Sequence, residues 1–369
     1  MKSRLYYRGW IAIFAIMFIL PVPMHIVTGG KLDIESTENR TLARFPDLST
    51  DLYEEFPSLL EDYFEDHMPY RNVLVKAYSQ VSHDIFGESS NWQVVLGKDD
   101  WLFLGRTYGV QWYGDEYSEF KGLNQYSEKS MQLIAENLQY IQEQLKHKGI
   151  DFYLLIPPNK SEIYFQNMPD WIVRNNEENR CDRLVSFLRE NTSAHVIYPK
   201  EEMLEEIKHY QLYYKYDTHW NLLGAYIAAQ QIESAMGYDR LHLSDQKIAK
   251  QPLVYRESAV DDLANMLSLR GKLEGEYEYY LESYPLLDEW ERTSFINDKS
   301  KYEDVILFVG DSFRGSLKPY LGQDFSRCEI VHIQDYTSEL LEQLNPDVVI
   351  LEYVDRNAIG IADWRLDID

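Results

Sequence analysis

Five short apolar runs, at residues 152–156, 195–198, 305–309, 330–333 and 348–354, are separated by longer stretches with helical spacing. Strands this short and this continuously apolar are buried on both faces, and a parallel sheet covered by helices on each side is what buries them. The spacing predicts helices over 127–148, 177–190 and 221–236. In the first, Met131, Ile134, Ala135, Leu138, Ile141 and Leu145 form one inner stripe, and Gly149 suits the C-terminal cap. The expected fold class is therefore α/β around a parallel sheet. Residues 240–303 break the rhythm; Glu274, Glu276, Tyr277, Glu278, Tyr279 and Tyr280 predict an exposed strand or hairpin, an insertion before the 305–309 strand.

Upstream of this part, residues 31–50 read as extended and polar, with Glu38-Asn39-Arg40 and Phe45-Pro46-Asp47. A helical stretch is expected over 52–86, with Phe56, Leu59, Leu60, Tyr63 and Phe64 on one face. Residues 94–103 read as a hairpin turning at Gly97-Lys98-Asp99-Asp100. The expected division is an N-terminal segment at 1–30, a helical and hairpin part at 31–125, and an α/β domain at 126–369 with its insertion at about 240–303.

The first segment is apolar from Trp10 to Val27 and follows Lys2, Arg4 and Arg8. Eighteen helical residues span about 27 Å, near the hydrocarbon thickness of a bilayer. The basic flank keeps that end in the cytoplasm, which puts the rest of the chain outside it, extracellular or periplasmic. An uncleaved single-pass anchor is the first reading. A cleaved signal peptide is the alternative, although no small-x-small site precedes Gly29-Gly30.

A formal charge of −25, from 61 acidic and 36 basic residues, repels a phosphate backbone, so nucleic acid is set aside as a partner. Cys181 and Cys328 show no ligand spacing and allow either one disulfide or two thiols. With no C-x-x-C or H-E-x-x-H and scattered histidines, no metal or cofactor is expected. Most of the 29 tyrosines are expected to be packed in or half-buried.

The chemistry sits in two motifs. Gly310-Asp311-Ser312-Phe313 directly follows an apolar strand, which places Ser312 at the C-terminal edge of the sheet, where open α/β sheets collect their active sites. Gly310 and Gly315 are expected to relieve crowding there. A serine hydroxyl needs a base for its proton and donors for the oxyanion. Tyr216-Asp217-Thr218-His219-Trp220-Asn221 supplies the base, His219, with Asp217 two residues away. In extended backbone the two side chains share a face, so the segment is expected to stay non-helical until Asn221. Trp220 is expected to pack near the site. Each motif alone also reads as a capped turn or a surface pair.

Together, Asp217-Thr218-His219-Trp220 and the downstream Gly310-Asp311-Ser312-Phe313 resemble the SGNH-like acyltransferases of the alginate O-acetyltransferase type, and the related group named for an Asp-His-His-Trp (DHHW) motif. The resemblance extends to Glu38-Asn39-Arg40-Thr41-Leu42-Ala43, Tyr63-Phe64-Glu65-Asp66-His67 with Arg71, Gly97-Lys98-Asp99-Asp100-Trp101-Leu102-Phe103, Pro157-Pro158-Asn159-Lys160 and Asp262-Leu263-Ala264-Asn265-Met266-Leu267. Thr218 stands where the group's name has a histidine. The resemblance implies an SGNH-hydrolase-like three-layer α/β/α domain with Ser312 as nucleophile, His219 as base and Asp217 as its partner. Asn159, Lys160, Arg314 and Trp220 are candidates for oxyanion or substrate contacts.

The resemblance further implies an O-acetyltransferase acting on hydroxyls of a surface or secreted polysaccharide, supplied by a membrane-bound O-acyltransferase as acetyl donor partner. No appended carbohydrate-binding module is expected after the last strand, which leaves polymer capture to the catalytic domain or to a partner. A carbohydrate acetylesterase with the same three residues, and a non-catalytic polysaccharide-binding scaffold, are the alternatives.

Overall fold

A computed structural model of the chain describes residues 7–11, 19–29, 42–46, 55–106, 116–176, 178–253, 261–273, 275–284, 286–287 and 289–366. They fall into two compact units, one of residues 1–91 with 264–273 and one of 92–263 with 274–369. The hairpin thus groups with the α/β part, a boundary that differs from the division at residue 125.

In the first unit the helical stretch is two helices, Phe56–His67 and Arg71–Val81, the second continued by one wider turn, Ser82–Phe86. Pro69 separates the two, because proline excludes the residue before it from helical backbone, and Met68 is indeed extended (ψ 128°). The face formed by Phe56, Leu59, Leu60, Tyr63 and Phe64 is not buried. Residues 42–46 have no regular structure, whereas 31–41, including Glu38-Asn39-Arg40, lie outside the described residues. So do Lys2, Arg4 and positions 12–18 of the apolar segment; a helix spans Pro21–Thr28, and among the described residues no helix is long and apolar enough to cross a membrane.

In the second unit, β1 (Val94–Leu96) and β2 (Leu102–Leu104) form the expected hairpin, with Val94 opposite Leu104. The main sheet contains β3 (Asp151–Leu155), β4 (His195–Ile197), β7 (Ser294–Ile296), β8 (Tyr302–Gly310), β9 (Phe325–His332) and β10 (Val348–Glu352). Its order is β4-β3-β10-β8-β9-β7. All neighbours are parallel except β7, which runs antiparallel to β9 at one edge and comes from the insertion.

Alternate residues of the strands feed two cores. Tyr153, Leu155, Phe308, Ile330 and Ile350 pack with the Leu222–Ala235 helix on one face. Phe152, Leu154, Leu307, Val309, Val349 and Leu351 pack with the Glu128–His147 and Arg180–Asn191 helices on the other. This is a three-layer α/β/α arrangement. The six expected stripe residues of the Glu128–His147 helix are all buried; Ser127 caps its start and Gly149 follows its end at φ +77°, a left-handed backbone that glycine adopts without penalty.

The insertion also forms β5 (Ile248–Pro252) and β6 (Tyr277–Leu281), an antiparallel pair. It is not the exposed hairpin its Tyr/Glu alternation suggests: Glu278 is buried and Tyr277, Tyr279 and Tyr280 are half-buried. The acid faces inward because Tyr214 donates to Glu278 Oε2 at 2.5 Å. The insertion is anchored further by Arg240, whose Nε donates to Glu233 Oε2 at 2.9 Å and whose guanidinium pairs with Asp324 among the rings of Tyr226, Tyr284 and Tyr320. Cys181 and Cys328 are both buried free thiols, so neither is in a disulfide.

The Leu222–Ala235 helix starts at Asn221, whose side chain accepts from the Leu223 and Gly224 amides (3.0 and 3.1 Å) and donates to Gln211 O (2.7 Å). Asn221→Ala removes both functions of a fully buried side chain. A loss of about 1–2 kcal/mol is expected, read as a lower urea midpoint with unchanged m-value.

Candidate active site

His219 sits on an irregular loop closed by a Tyr213–Trp220 bridge. The loop is non-helical until Asn221, as expected, but it bends where extended backbone was expected. The bend follows from Asp217: its Oδ1 accepts from the His219 amide two residues on, at 2.8 Å, which is how aspartate closes a turn on its own backbone. The same Oδ1 lies 2.6 Å from His219 Nδ1, and His219 Nε2 lies 2.7 Å from Ser312 Oγ. Ser312, His219 and Asp217 therefore form one hydrogen-bonded series at the C-terminal end of β8.

Ser312 is exposed, His219 half-buried and Asp217 buried. Burial alone raises the Asp217 pKa, but the charge and hydrogen bond of His219 and the amides of Asp262 and His219 outweigh it and hold the carboxyl below its usual value. For His219, burial acts to lower the pKa. The Asp217 charge and hydrogen bond, with the Asp262 charge, outweigh burial and the opposing Arg356, so the imidazole is more basic than usual. That polarity, an ionised acid behind a basic imidazole, lets Nε2 take a hydroxyl proton.

The Ser312 turn is fixed by Asp311. Its Oδ1 accepts from Phe313 N (3.0 Å), and its Oδ2 from Val354 N (3.0 Å) and Asn357 Nδ2 (3.3 Å), which ties the end of β8 to the segment after β10. Gly310 is needed: a Cβ there would meet the Glu352 carboxyl and come within 2.8 Å of the Phe308 ring. Gly315 has open space around its Cα, so crowding does not explain it. Phe313, fully buried, lies against His219 (4.7 Å between centroids), Trp220 (5.2 Å) and the Arg356 guanidinium (5.3 Å).

Of the four further candidates, Lys160, Asn159 and Trp220 are buried in the framework, and Arg314 is half-buried at the edge of the site. Lys160 is 1% exposed, and its ammonium donates to Tyr214 O (3.1 Å), Lys215 O (3.2 Å) and Asp217 O (2.6 Å). All three of its protons are spent on the histidine loop, which corrects its reading as an oxyanion or substrate group. Asn159 is fully buried between Glu119 and Arg356 (3.1 and 3.2 Å). Arg314 donates to Asp311 O at 2.7 Å and braces the Ser312 turn. Trp220 is fully buried and donates to Phe313 O at 3.1 Å, joining the two halves of the site from beneath.

Sequence reasoning named Asp262 in a motif of the resemblance and Glu276 and Glu278 in the insertion but gave none of them, nor Arg356, a place at the site. The Lys215 amide donates to Glu276, and burial raises that carboxyl to about 8 despite the Lys215 bond and the Lys160 charge. The Tyr-Glu alternation carried a signal for these acids, but it was compatible with solvent. Asp217, His219 and Asp262 also place three ligand-type atoms within 4.8 Å of one another. Those atoms serve hydrogen bonds among themselves and to Thr218.

A parallel sheet between two helical layers, with this Ser–His–Asp series at its C-terminal edge, is the architecture of the SGNH hydrolase-like class. The family model described as "SGNH hydrolase-like domain, acetyltransferase AlgX" matches residues 94–345, and the chain belongs to that family. It is 24% identical over 245 residues to a "Probable alginate O-acetylase AlgJ" of Pseudomonas putida, covering 66% of this chain and 57% of that protein. It is 25% identical over 184 residues to the protein of the same name from Pseudomonas syringae pv. tomato, covering 48% and 41%. The chain thus spans about half the length of these relatives. Among solved structures it is similar to Bacillus cereus PatB1 with a sulfonyl adduct, at TM-score 0.50 and 19% identity over 75% of this chain and 100% of that one.

Lys160→Met leaves three loop carbonyls without their donor and the surrounding carboxylates without their counter-charge. A stability loss of about 3–5 kcal/mol is expected from urea melts, because removing one partner of a buried ionic group strands the other.

Proposed function

We propose that this protein is an O-acetyltransferase that moves an acetyl group through Ser312 onto hydroxyls of a cell-surface or secreted polysaccharide. The observation that carries the reading is the Ser312–His219–Asp217 series, with steps of 2.7 and 2.6 Å. The names of the curated relatives and membership of the AlgX family supply the acetyl group and the polysaccharide.

In the first half-reaction, His219 Nε2 takes the Ser312 proton as Oγ bonds to the acetyl carbonyl carbon. The donor's C–O bond breaks, and its oxygen leaves with the proton from the imidazolium. In the second, a sugar hydroxyl attacks the acetyl-serine and gives its proton to Nε2. The bond to Ser312 Oγ breaks, and Oγ takes that proton back. Asp217 accepts from Nδ1–H throughout and stabilises the imidazolium. Phe313 N and Arg314 N are bound to Asp311, so the Ser312 amide, first in its turn, is the oxyanion donor that the turn offers.

The N-terminal apolar segment, behind Lys2, Arg4 and Arg8, anchors the chain in the membrane with the catalytic unit outside the cytoplasm, beside a membrane-bound O-acyltransferase that hands over acetyl. A second reading, a carbohydrate acetylesterase, rests on the exposure of Ser312: water reaches the same acyl-enzyme. The assembled series speaks against a purely binding scaffold.

Incubation of the purified protein with an activated acetyl ester is expected to add one acetyl to Ser312, read by mass spectrometry. With oligosaccharide acceptors the acetyl appears on sugar; free acetate alone would favour the esterase. Ser312→Ala is expected to lower turnover by about 10³-fold or more. Wild-type turnover in that variant would overturn both readings.

The rate should also follow deprotonation of His219. Because its folded-state pKa is raised, the acid limb of the pH–rate profile is expected above the usual histidine value of 6.5. In Asp217→Asn the limb should move to lower pH as the maximal rate falls.

A further inference from the structure

Asp262, the first residue of the Asp262–Met266 helix, reaches the site from a segment with no part in the chemistry above. Its Oδ1 accepts from Thr218 N at 2.8 Å and its Oδ2 from Thr218 Oγ1 at 2.6 Å. Its own amide donates to Asp217 Oδ2 at 3.0 Å. Asp217 is then filled on both oxygens, with Oδ1 taken by the amide and ring of His219. The Asp217-Thr218-His219 segment is held from both sides, by Asp262 above Thr218 and by Lys160 on the Asp217 carbonyl.

The consequence lies in the direction of one proton. Thr218 Oγ1 is 3.4 Å from His219 Nδ1 as well as 2.6 Å from Asp262. An ionised carboxylate only accepts, so it claims the threonine's single hydroxyl proton. Thr218 then presents lone pairs alone toward the ring, and Asp217 does the same. Neither neighbour can donate to Nδ1, so Nδ1 carries the proton and Nε2 is left bare toward Ser312. Histidine tautomers are set by the partner on the other nitrogen.

Resting on the acyl-transfer reading of the site, we propose that Asp262 is a positioning residue: through Thr218 and Asp217 it fixes the loop and commits His219 to the tautomer that accepts the Ser312 proton. The charges around it fit this role. Asp217, Glu276, Lys160, His219 and Arg356 are the ionisable groups that act on this segment. Burial, then the Asp217 charge, raises the Asp262 carboxyl to about 6 against the pull of His219 and Thr218. It is ionised at neutral pH, and its charge adds to that of Asp217 in making His219 basic.

Asp262→Asn is nearly isosteric but replaces an acceptor by a donor. The amide can accept only one of the two Thr218 bonds, and the threonine proton is released toward Nδ1. The test uses the full-length chain with 15N-labelled histidine, the ring signals assigned by their loss in His219→Gln. The wild type should show a protonated Nδ1 with a downfield resonance. In Asp262→Asn, where Asp217 still accepts from Nδ1–H, that resonance should broaden and lose its downfield position and the His219 titration move to lower pH. The rate of Ser312 acetylation by p-nitrophenyl acetate should fall by about 10²-fold, the usual cost of a misplaced catalytic group.

Thr218→Val keeps the Asp262 charge and removes only the hydroxyl. It should lower the acetylation rate while leaving the His219 titration above its ordinary value. If Asp262→Asn does not fold, Thr218→Val decides alone: a wild-type rate in it removes the proposed path. A folded Asp262→Asn that keeps the wild-type resonance, titration and rate overturns the inference. A wild-type protein that p-nitrophenyl acetate does not label at Ser312 overturns the acyl-transfer reading instead, and the histidine resonances still decide the role of Asp262.

Discussion

One buried ammonium holds this site together. His219 stands on a loop that belongs to no sheet and no helix, so beyond the bridge that serves the Leu212 and His219 carbonyls its backbone has no regular partners. Buried backbone groups without partners cost about 1–3 kcal/mol each. Lys160 serves three of them from a single point. It arrives there because it opens the short helix that follows β3, the strand in mid-sheet beside β10. Burial lowers its pKa to about 8, against the charges of Asp262, Asp217, Glu276 and Glu116, so it remains mostly charged at neutral pH. The Asp262 and Asp217 carboxylates offset part of the desolvation of the ammonium, and the ammonium gives them a counter-charge.

Further bonds reach the loop from distant segments, one of them to a carbonyl that Lys160 also serves. Leu102 N in the hairpin donates to Lys215 O at 3.0 Å, Leu212 N to Tyr164 Oη at 2.9 Å, and Tyr213 Oη to Pro158 O at 2.6 Å. Glu276 and Glu278 arrive with the insertion. This explains why the hairpin and the inserted β5–β6 pair belong to the same compact unit as the sheet. The Ser312 side is simpler, because Ser312 lies just past the end of β8 and Asp311 ties its turn to the segment after β10.

This contrast explains what could be read from the sequence. Strands β3, β8, β9 and β10 and the Glu128–His147 and Leu222–Ala235 helices declare themselves by period and caps, because their partners are periodic too. Strand β7 does not: Ser294-Phe295-Ile296 is three residues long and gains its meaning only beside Cys328 on β9. The break at Pro69 was legible from the proline itself, but the helical periodicity around it dominated the reading. Ser312, His219 and Asp217 could be paired from the sequence because a hydroxyl, an imidazole and a carboxylate complement one another, and the structure brings them within hydrogen-bond distance. Lys160 misled because a lysine in a loop beside a candidate site is usually read as facing the solvent; full burial is rare without partners. Those partners are backbone carbonyls, which have no side-chain signature. Asp262 and Arg356 lie far from both motifs, and only the fold brings them in.

The layout also bears on the choice between transfer and hydrolysis. Rigidity beneath the site is complete: Phe313, Trp220, Asp217 and Lys160 are buried and hydrogen-bonded or closely packed. Above it Ser312 is open. A pre-organised base lowers the barrier for any hydroxyl that arrives, water included, since the imidazole does not discriminate. Selection must therefore come from what occupies the space over Ser312. A sugar chain that binds there excludes water and gains effective concentration in the same act, which can contribute several kcal/mol to one acceptor over the other. On this view the acceptor's own binding, more than any further group beside His219, would decide between transfer and hydrolysis at such a site.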